Sequence, residues 1–127
     1  MGNLYHCEIC DASTRSKKSL DIVRTGEVLV IELKRMALRN ARDGTLEKNN
    51  QKITIPLYNL ELAGSRYNLY AVLHNEGFTH GEHHIAMARN FVSNEWIMYG
   101  DRCDRMYGMD QELVSNTASV LFYARIP

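Results

Sequence analysis

Short apolar or β-branched runs alternate with polar, turn-rich gaps along most of this chain, and no stretch sustains a long 3.6-residue apolar period. That pattern predicts an antiparallel sheet with little helix. Val28-Leu29-Val30-Ile31-Glu32-Leu33-Lys34-Arg35-Met36 opens as a continuous apolar run and then alternates, as expected of a central strand passing from core toward an edge. A polar loop follows, with Asp43-Gly44 as its turn signal, and Lys52-Ile53-Thr54-Ile55-Pro56 is the alternating return run that stops at proline. Further strands are predicted over residues 67–74, 84–92, 95–99 and 120–125, with Ser93-Asn94 as a tight hairpin turn between the middle two. Short helical turns are expected near 57–62 and 111–114.

Composition narrows the function classes. At 127 residues and 45% apolar content the chain has the length of one domain and material for a modest core. Fifteen basic side chains balance fifteen acidic ones, so no excess positive field exists to draw nucleic acid or anionic lipid. No apolar run is long enough to cross a membrane, and the N-terminal residues lack the basic start and apolar core of a secretory signal. The expectation is therefore a protein without nucleic-acid or membrane partners. Three cysteines form an odd set, poor material for a disulfide framework, which predicts an intracellular, reducing location in cytoplasm or nucleus.

Two clusters carry candidate chemistry. Cys7-Glu8-Ile9-Cys10 has the spacing that lets two thiolates bind one face of a tetrahedral zinc ion, but it is only half of a four-ligand site. It reads either as a half-site for structural zinc or as two free thiols. The second cluster is His80-Gly81-Glu82-His83-His84, followed by an apolar run and by Trp96-Ile97-Met98-Tyr99-Gly100-Asp101. Gly81 argues against the helix that would bring His80 and His83 together on a metal, and adjacent His83 and His84 point to opposite faces of a strand. A histidine at a loop-to-strand junction with an acid on the neighbouring strand suits an acid–base catalyst instead: one ring nitrogen serves the nucleophile, and the other is held by a carboxylate or amide. Pairing of the two flanking strands brings Asp101 near His83.

In order along nearly the whole chain, these segments resemble the C-terminal half of the ubiquitin-specific protease domain, a papain-like cysteine deubiquitinase. Tyr5-His6-Cys7-Glu8-Ile9-Cys10 resembles the second cysteine pair of that family's zinc-binding fingers. Val28-Leu29-Val30-Ile31-Glu32-Leu33-Lys34-Arg35 resembles its Val-Leu-x-x-x-Leu-Lys-Arg strand, with Met36 where phenylalanine is common. Gly81-Glu82-His83-His84 stands in place of Gly-Gly-His-Tyr, Trp96 to Asp101 in place of Trp-x-x-Phe-Asp-Asp, and Ala118-Ser119-Val120-Leu121-Phe122-Tyr123 in place of Ala-Tyr-x-Leu-x-Tyr. The resemblance implies an α+β, predominantly antiparallel fold, here a partial one without the helical lobe that carries the nucleophile. Residues 1–18 then read as a remnant of the zinc-finger region and 19–127 as the palm-like sheet bearing His83.

The implied activity is cleavage of the isopeptide bond after the ubiquitin C-terminal Gly-Gly, with ubiquitin or a ubiquitinated protein as partner and no cofactor needed for catalysis. Carried over, His83 is the base and Asp101 the orienting acid; Cys7 and Cys10 are the candidate ligands of a structural zinc. The departures matter equally. Gly100 has no side chain where the family's first acidic or amide residue stands, and Glu82 adds bulk and charge beside His83. No Gly-x-x-Asn-x-Gly-x-x-Cys box is present, and Cys103 reads as a loop thiol. This chain alone should therefore be inactive, and a partner chain could supply the missing lobe. The sheet should expose an apolar face or unpaired edge where that lobe would dock. The alternatives are a non-catalytic ubiquitin-binding or scaffolding module with a decayed site, and a zinc-containing interaction domain unrelated to ubiquitin.

Overall fold

The computed structural model describes residues 4–40, 42–77, 83–101, 103–106 and 112–127. Among these there is no helix, and every paired strand runs antiparallel. Tyr5–Cys7 (β1) and Ala12–Thr14 (β2) form a small hairpin, and Val28–Glu32 (β3) begins the body of the protein. Met36–Asn40 (β4) and Thr45–Lys48 (β5) make a second hairpin, followed by Ile53–Pro56 (β6) and Leu60–Leu62 (β7). Then come Ser65–Asn75 (β8), His84–Arg89 (β9), Trp96–Tyr99 (β10), Cys103–Met106 (β11), Glu112–Ser115 (β12) and Ala118–Arg125 (β13). The main sheet has the order β11-β10-β9-β8-β13-β3, with β7 also paired to β8, while β6 and β12 form a separate ribbon.

The register explains why so many strands are apolar at consecutive positions. Read across the sheet, Ile31, Leu121, Val72, Met87 and Met98 form one row. The next row is Val30, Phe122, Ala71, Ala88 and Ile97, which alternation places on the opposite face. The first row is buried at its centre, where Leu121, Val72 and Met87 join Tyr67, Leu69 and Tyr123 in the core. The ribbon closes that face with Ile53, Ile55 and Leu113. Complete enclosure of a side chain such as Leu57 or Leu69 stabilises by roughly 1.5–3 kcal/mol. The Tyr123 hydroxyl inside this core donates to the Pro56 carbonyl at 2.9 Å, and burial pushes its pKa up to about 12.

The second row is apolar but uncovered among the described residues. Val28 and Val30 are more than half exposed, as is Phe91 beside it. Tyr70 lies on this side too, its ring 6.2 Å from Phe122 and 6.0 Å from Phe91. The expected apolar face is therefore present, on one side of a sheet whose other side holds the core.

Several sequence expectations need correction. Val28–Glu32 is an edge strand rather than a central one, paired only with β13; its continuous apolar run reflects two apolar sheet faces. The strand also ends at Glu32, because Arg35 turns inward. Its guanidinium donates to the carbonyls of Ala118 (2.5 Å), Asn49 (2.9 Å), Gln51 (2.9 Å) and Ser115 (3.3 Å). Asp43-Gly44 does turn a hairpin, with Gly44 at φ 71°, but it joins β4 to β5, and the run ending at Pro56 pairs with β12.

The two predicted helical turns are strands. Residues 60–62 form β7, which folds back on β8 through Ala63 (φ 48°) and Gly64 (φ 75°), a two-residue turn with both residues left-handed. Residues 112–115 form β12, paired to β6; Gln111 lies outside the described residues. The β9–β10 hairpin exists but is wider than a tight Ser93-Asn94 turn, since β9 ends at Arg89. The Asn90 side chain accepts from the Val92 and Ser93 amides, while the Asn90 amide bonds the Glu95 carbonyl.

Candidate functional site

His83 precedes β9 and is exposed. Its backbone is nevertheless fixed, because the Glu76 amide donates to the His83 carbonyl at 2.9 Å and so extends the β8–β9 ladder one residue past Asn75 and His84. Strand alternation from this position puts the His83 side chain on the face of Ile85 and Met87. His84, one residue on, belongs to the uncovered face.

The β9–β10 register continues past Tyr99 and Ala86 to set Gly100 level with Ile85; a methyl added at Gly100 would lie 3.5 Å from Ile85 Cγ1. Position 100 thus shares a face with His83. The same count sets Asp101 level with His84. Both His83 and Asp101 are exposed, and no hydrogen bond or ion pair joins them among the described residues. His80, Gly81 and Glu82 lie outside the described residues. Cys103, read from sequence as a loop thiol, has its backbone on β11 opposite Tyr99.

The end of β8 beneath this site is tied from three directions. The Asn75 amide donates to the Thr117 carbonyl at 2.9 Å, and the Lys48 ammonium donates to the Asn75 carbonyl at 2.7 Å. His74, only 7% exposed, sets its Nδ1 3.0 Å from the Thr117 hydroxyl and 3.5 Å from that of Ser115. Burial, and to a smaller degree the charge of Arg35, hold the His74 pKa below its ordinary 6.5 against an opposing pull from Glu76. On the uncovered face, Lys34, Met36, Lys48, Asn75 and His84 help line a cleft of about 330 Å³. Sequence reasoning passed over His74, Lys48 and Arg35, whose partners are remote in the chain.

At the other end of the protein, Cys7 stands opposite Ala12 and Cys10 sits in the β1–β2 turn, which closes through Asp11 at φ 47°. A side-chain interaction with Cys10 lowers the Cys7 thiol pKa, helped by the backbone amides of Cys10 and Ile9. His6 does not turn to the thiols; its Nε2 lies 3.5 Å from Asp11. Two sulfur donors are present, half of a tetrahedral set, and no group of three metal-binding side chains occurs among the described residues. These residues do not by themselves fit a complete zinc site.

The geometry of an exposed histidine beside a strand that ends in Trp-x-x-x-Gly-Asp agrees with sequence comparison. The profile of the ubiquitin carboxyl-terminal hydrolase family matches residues 1–123. The chain belongs to this family. Ubiquitin carboxyl-terminal hydrolase 15 of Homo sapiens is 33% identical over 131 residues, covering 95% of this chain and 13% of the relative. Ubiquitin carboxyl-terminal hydrolase 2 of Gallus gallus is 32% identical over 126 residues, covering 92% of this chain and 34% of the relative. The chain thus spans about a third or less of the curated relatives it matches, corresponding to the C-terminal part of a ubiquitin-specific protease domain.

Solved structures agree on the fold. A yeast SAGA DUB module with an Sgf73 mutant superposes with a TM-score of 0.81 at 24% identity, over 97% of this chain and 28% of the other. The SAGA DUB module Ubp8/Sgf11/Sus1/Sgf73 bound to ubiquitin aldehyde gives 0.66 at 21%, over 98% and 30%. The fold is a partial ubiquitin-specific protease fold, mostly antiparallel sheet, without the helical lobe.

Proposed function

We propose that this chain is the histidine lobe of a cysteine deubiquitinase and works with a helical lobe that brings the nucleophile. The observation that carries this is the placement of His83: exposed at the start of a half-buried strand, its carbonyl held by the Glu76 amide, and on the same face as position 100. The uncovered apolar row through Val30, Phe122 and Ala88 lies on the face opposite His83, so a helical lobe resting on it would reach His83 around the end of β8 and β9. The cleft beside His84 has room for an extended, glycine-ended tail.

In the assembled site, His83 takes the proton of the cysteine thiol, and the thiolate adds to the carbonyl carbon of the ubiquitin C-terminal glycine. The imidazolium then gives that proton to the lysine nitrogen as the C–N bond breaks, leaving an acyl thioester. Water, deprotonated by the same imidazole, attacks the thioester and regenerates the thiol. His83 must be neutral at the start of each half-reaction, and its tautomer needs an orienting group. Asp101 is the acid we assign to that role. Cys7 and Cys10 would serve as half of a structural zinc site whose other ligands lie elsewhere, and free thiols of this kind suit a reducing compartment.

The test is turnover of ubiquitin carrying a fluorogenic C-terminal amide. The chain alone should give none, the chain mixed with a family helical lobe should give signal, and His83→Ala in the mixture should remove it. One observation favours the non-catalytic alternative: Gly100 offers no side chain on the face of His83. Reversible ubiquitin binding with no turnover in the mixture would support that reading.

A further inference from the structure

His74 is a buried imidazole with a peculiar set of neighbours. Ser115 Oγ already accepts from the Thr117 amide at 3.1 Å and the Ala118 amide at 2.9 Å. Its two lone pairs are thereby committed, so toward His74 it offers its hydrogen. Thr117 Oγ1 is the nearer hydroxyl, 3.0 Å from the same nitrogen, and the direction of that bond follows the tautomer of the ring. Either neutral tautomer keeps a hydroxyl bond at Nδ1, with Thr117 accepting from the ring or donating to it, and leaves Nε2 as the other ring nitrogen. That Nε2 is buried and has no partner among the described residues.

An aromatic hydrocarbon would fill the space without an orphaned polar atom, so the imidazole does something packing alone does not require. The place it occupies suggests what. His74 pairs with Ile85 on one side and Ala118 on the other, one residue before Asn75 and two before Glu76, whose amide holds His83. The charged groups facing it are Arg35 from the β3–β4 link and Glu76 from its own strand; Lys48, from β5, binds the next carbonyl. Two of those three are cations.

We propose that neutral His74 is the positioning residue for His83: it pins the end of β8 to the Ser115–Thr117 turn, and protonation releases that end and the Glu76–His83 bond with it. A second ring proton makes donors of both nitrogens, leaves a charged N–H at the unpartnered Nε2 and adds a second cation beside Arg35. The cost of that buried charge weakens the tie that keeps Asn75 against the β12–β13 turn. This would make presentation of the catalytic base pH-sensitive through a residue that never touches substrate. The proposal rests on the reading of His83 as the base, yet the tie itself exists whether or not the site is active.

Amide hydrogen exchange of the chain from pH 7.5 to 5, corrected for intrinsic rates, tests it. The folded His74 binds its proton less readily than the unfolded one, so the tie is fully present above about pH 6.5 and weakens below it. Protection at the Asn75 and Glu76 amides should fall by up to about tenfold per pH unit below 6.5, while amides of the β3–β13 ladder hold. His74→Asn, whose carbonyl oxygen can take the Thr117 hydrogen bond at every pH, should keep protection at both amides and abolish its pH dependence. Equal pH profiles in the wild type and His74→Asn would overturn the proposal, as would parallel loss in the β3–β13 ladder, which means global unfolding. Ubiquitin turnover by the assembled lobes separates the two readings: pH-dependent exchange without turnover leaves the tie intact and removes only the catalytic role of His83.

Discussion

Position 100 is where the site is most open to repair. A carboxylate there would project on the face of His83, and its first carbon would meet Ile85 at 3.5 Å, an ordinary van der Waals contact. Loss of the orienting carboxylate in a serine protease costs about 10⁴ in rate, which sets the available gain. Gly100→Asp in the assembled lobes should therefore raise kcat at least about tenfold with little change in KM. An unchanged kcat would mean that Asp101 already orients the ring or that the ring needs no orienter. The motifs that make His83 and Gly100 conspicuous are local, runs of five and six residues, and local motifs survive in sequence. Arg35 and His74 were illegible for the opposite reason: their partners at Ser115, Thr117 and Ala118 lie 41 to 83 residues away.

At the scale of elements, alternation found the strands better than their neighbours. β8, β9, β10 and β13 appear where apolar periodicity placed them, but the β3 run was read as central because apolar residues on both faces look the same in sequence whether or not both faces are covered. The segment at 57–62 is expected to form short helical turns, whereas Leu60–Leu62 folds back on β8 through Ala63-Gly64, a turn whose first residue is not one of the usual left-handed types. Alanine is an unfavourable residue at positive φ, whereas asparagine tolerates it. Ala63→Asn should stabilise the protein by a few tenths to about 1 kcal/mol in urea unfolding with an unchanged m-value. A loss of stability would argue against the two-residue turn between β7 and β8.

The whole molecule is a sheet with one face closed by its own ribbon and one left apolar and open among the described residues. Monomeric proteins seldom leave a continuous apolar surface of this kind uncovered, and here it runs across β3, β13, β8, β9 and β10. Family membership follows from the chain's own match over residues 1–123, and the partial fold from the solved structures it superposes on. The central claim is that the two belong together, with His83 the base of a site completed by a cysteine on a helical lobe. Labelling by ubiquitin bearing a cysteine-reactive C-terminus measures this directly. The chain alone should remain unlabelled, and the mixture with the helical lobe should form a covalent ubiquitin adduct on the lobe's cysteine, slowed at least about tenfold by His83→Ala, as expected of a lost general base. Adduct formation by the mixture at the same rate with and without His83, or none at all despite tight association, would contradict it.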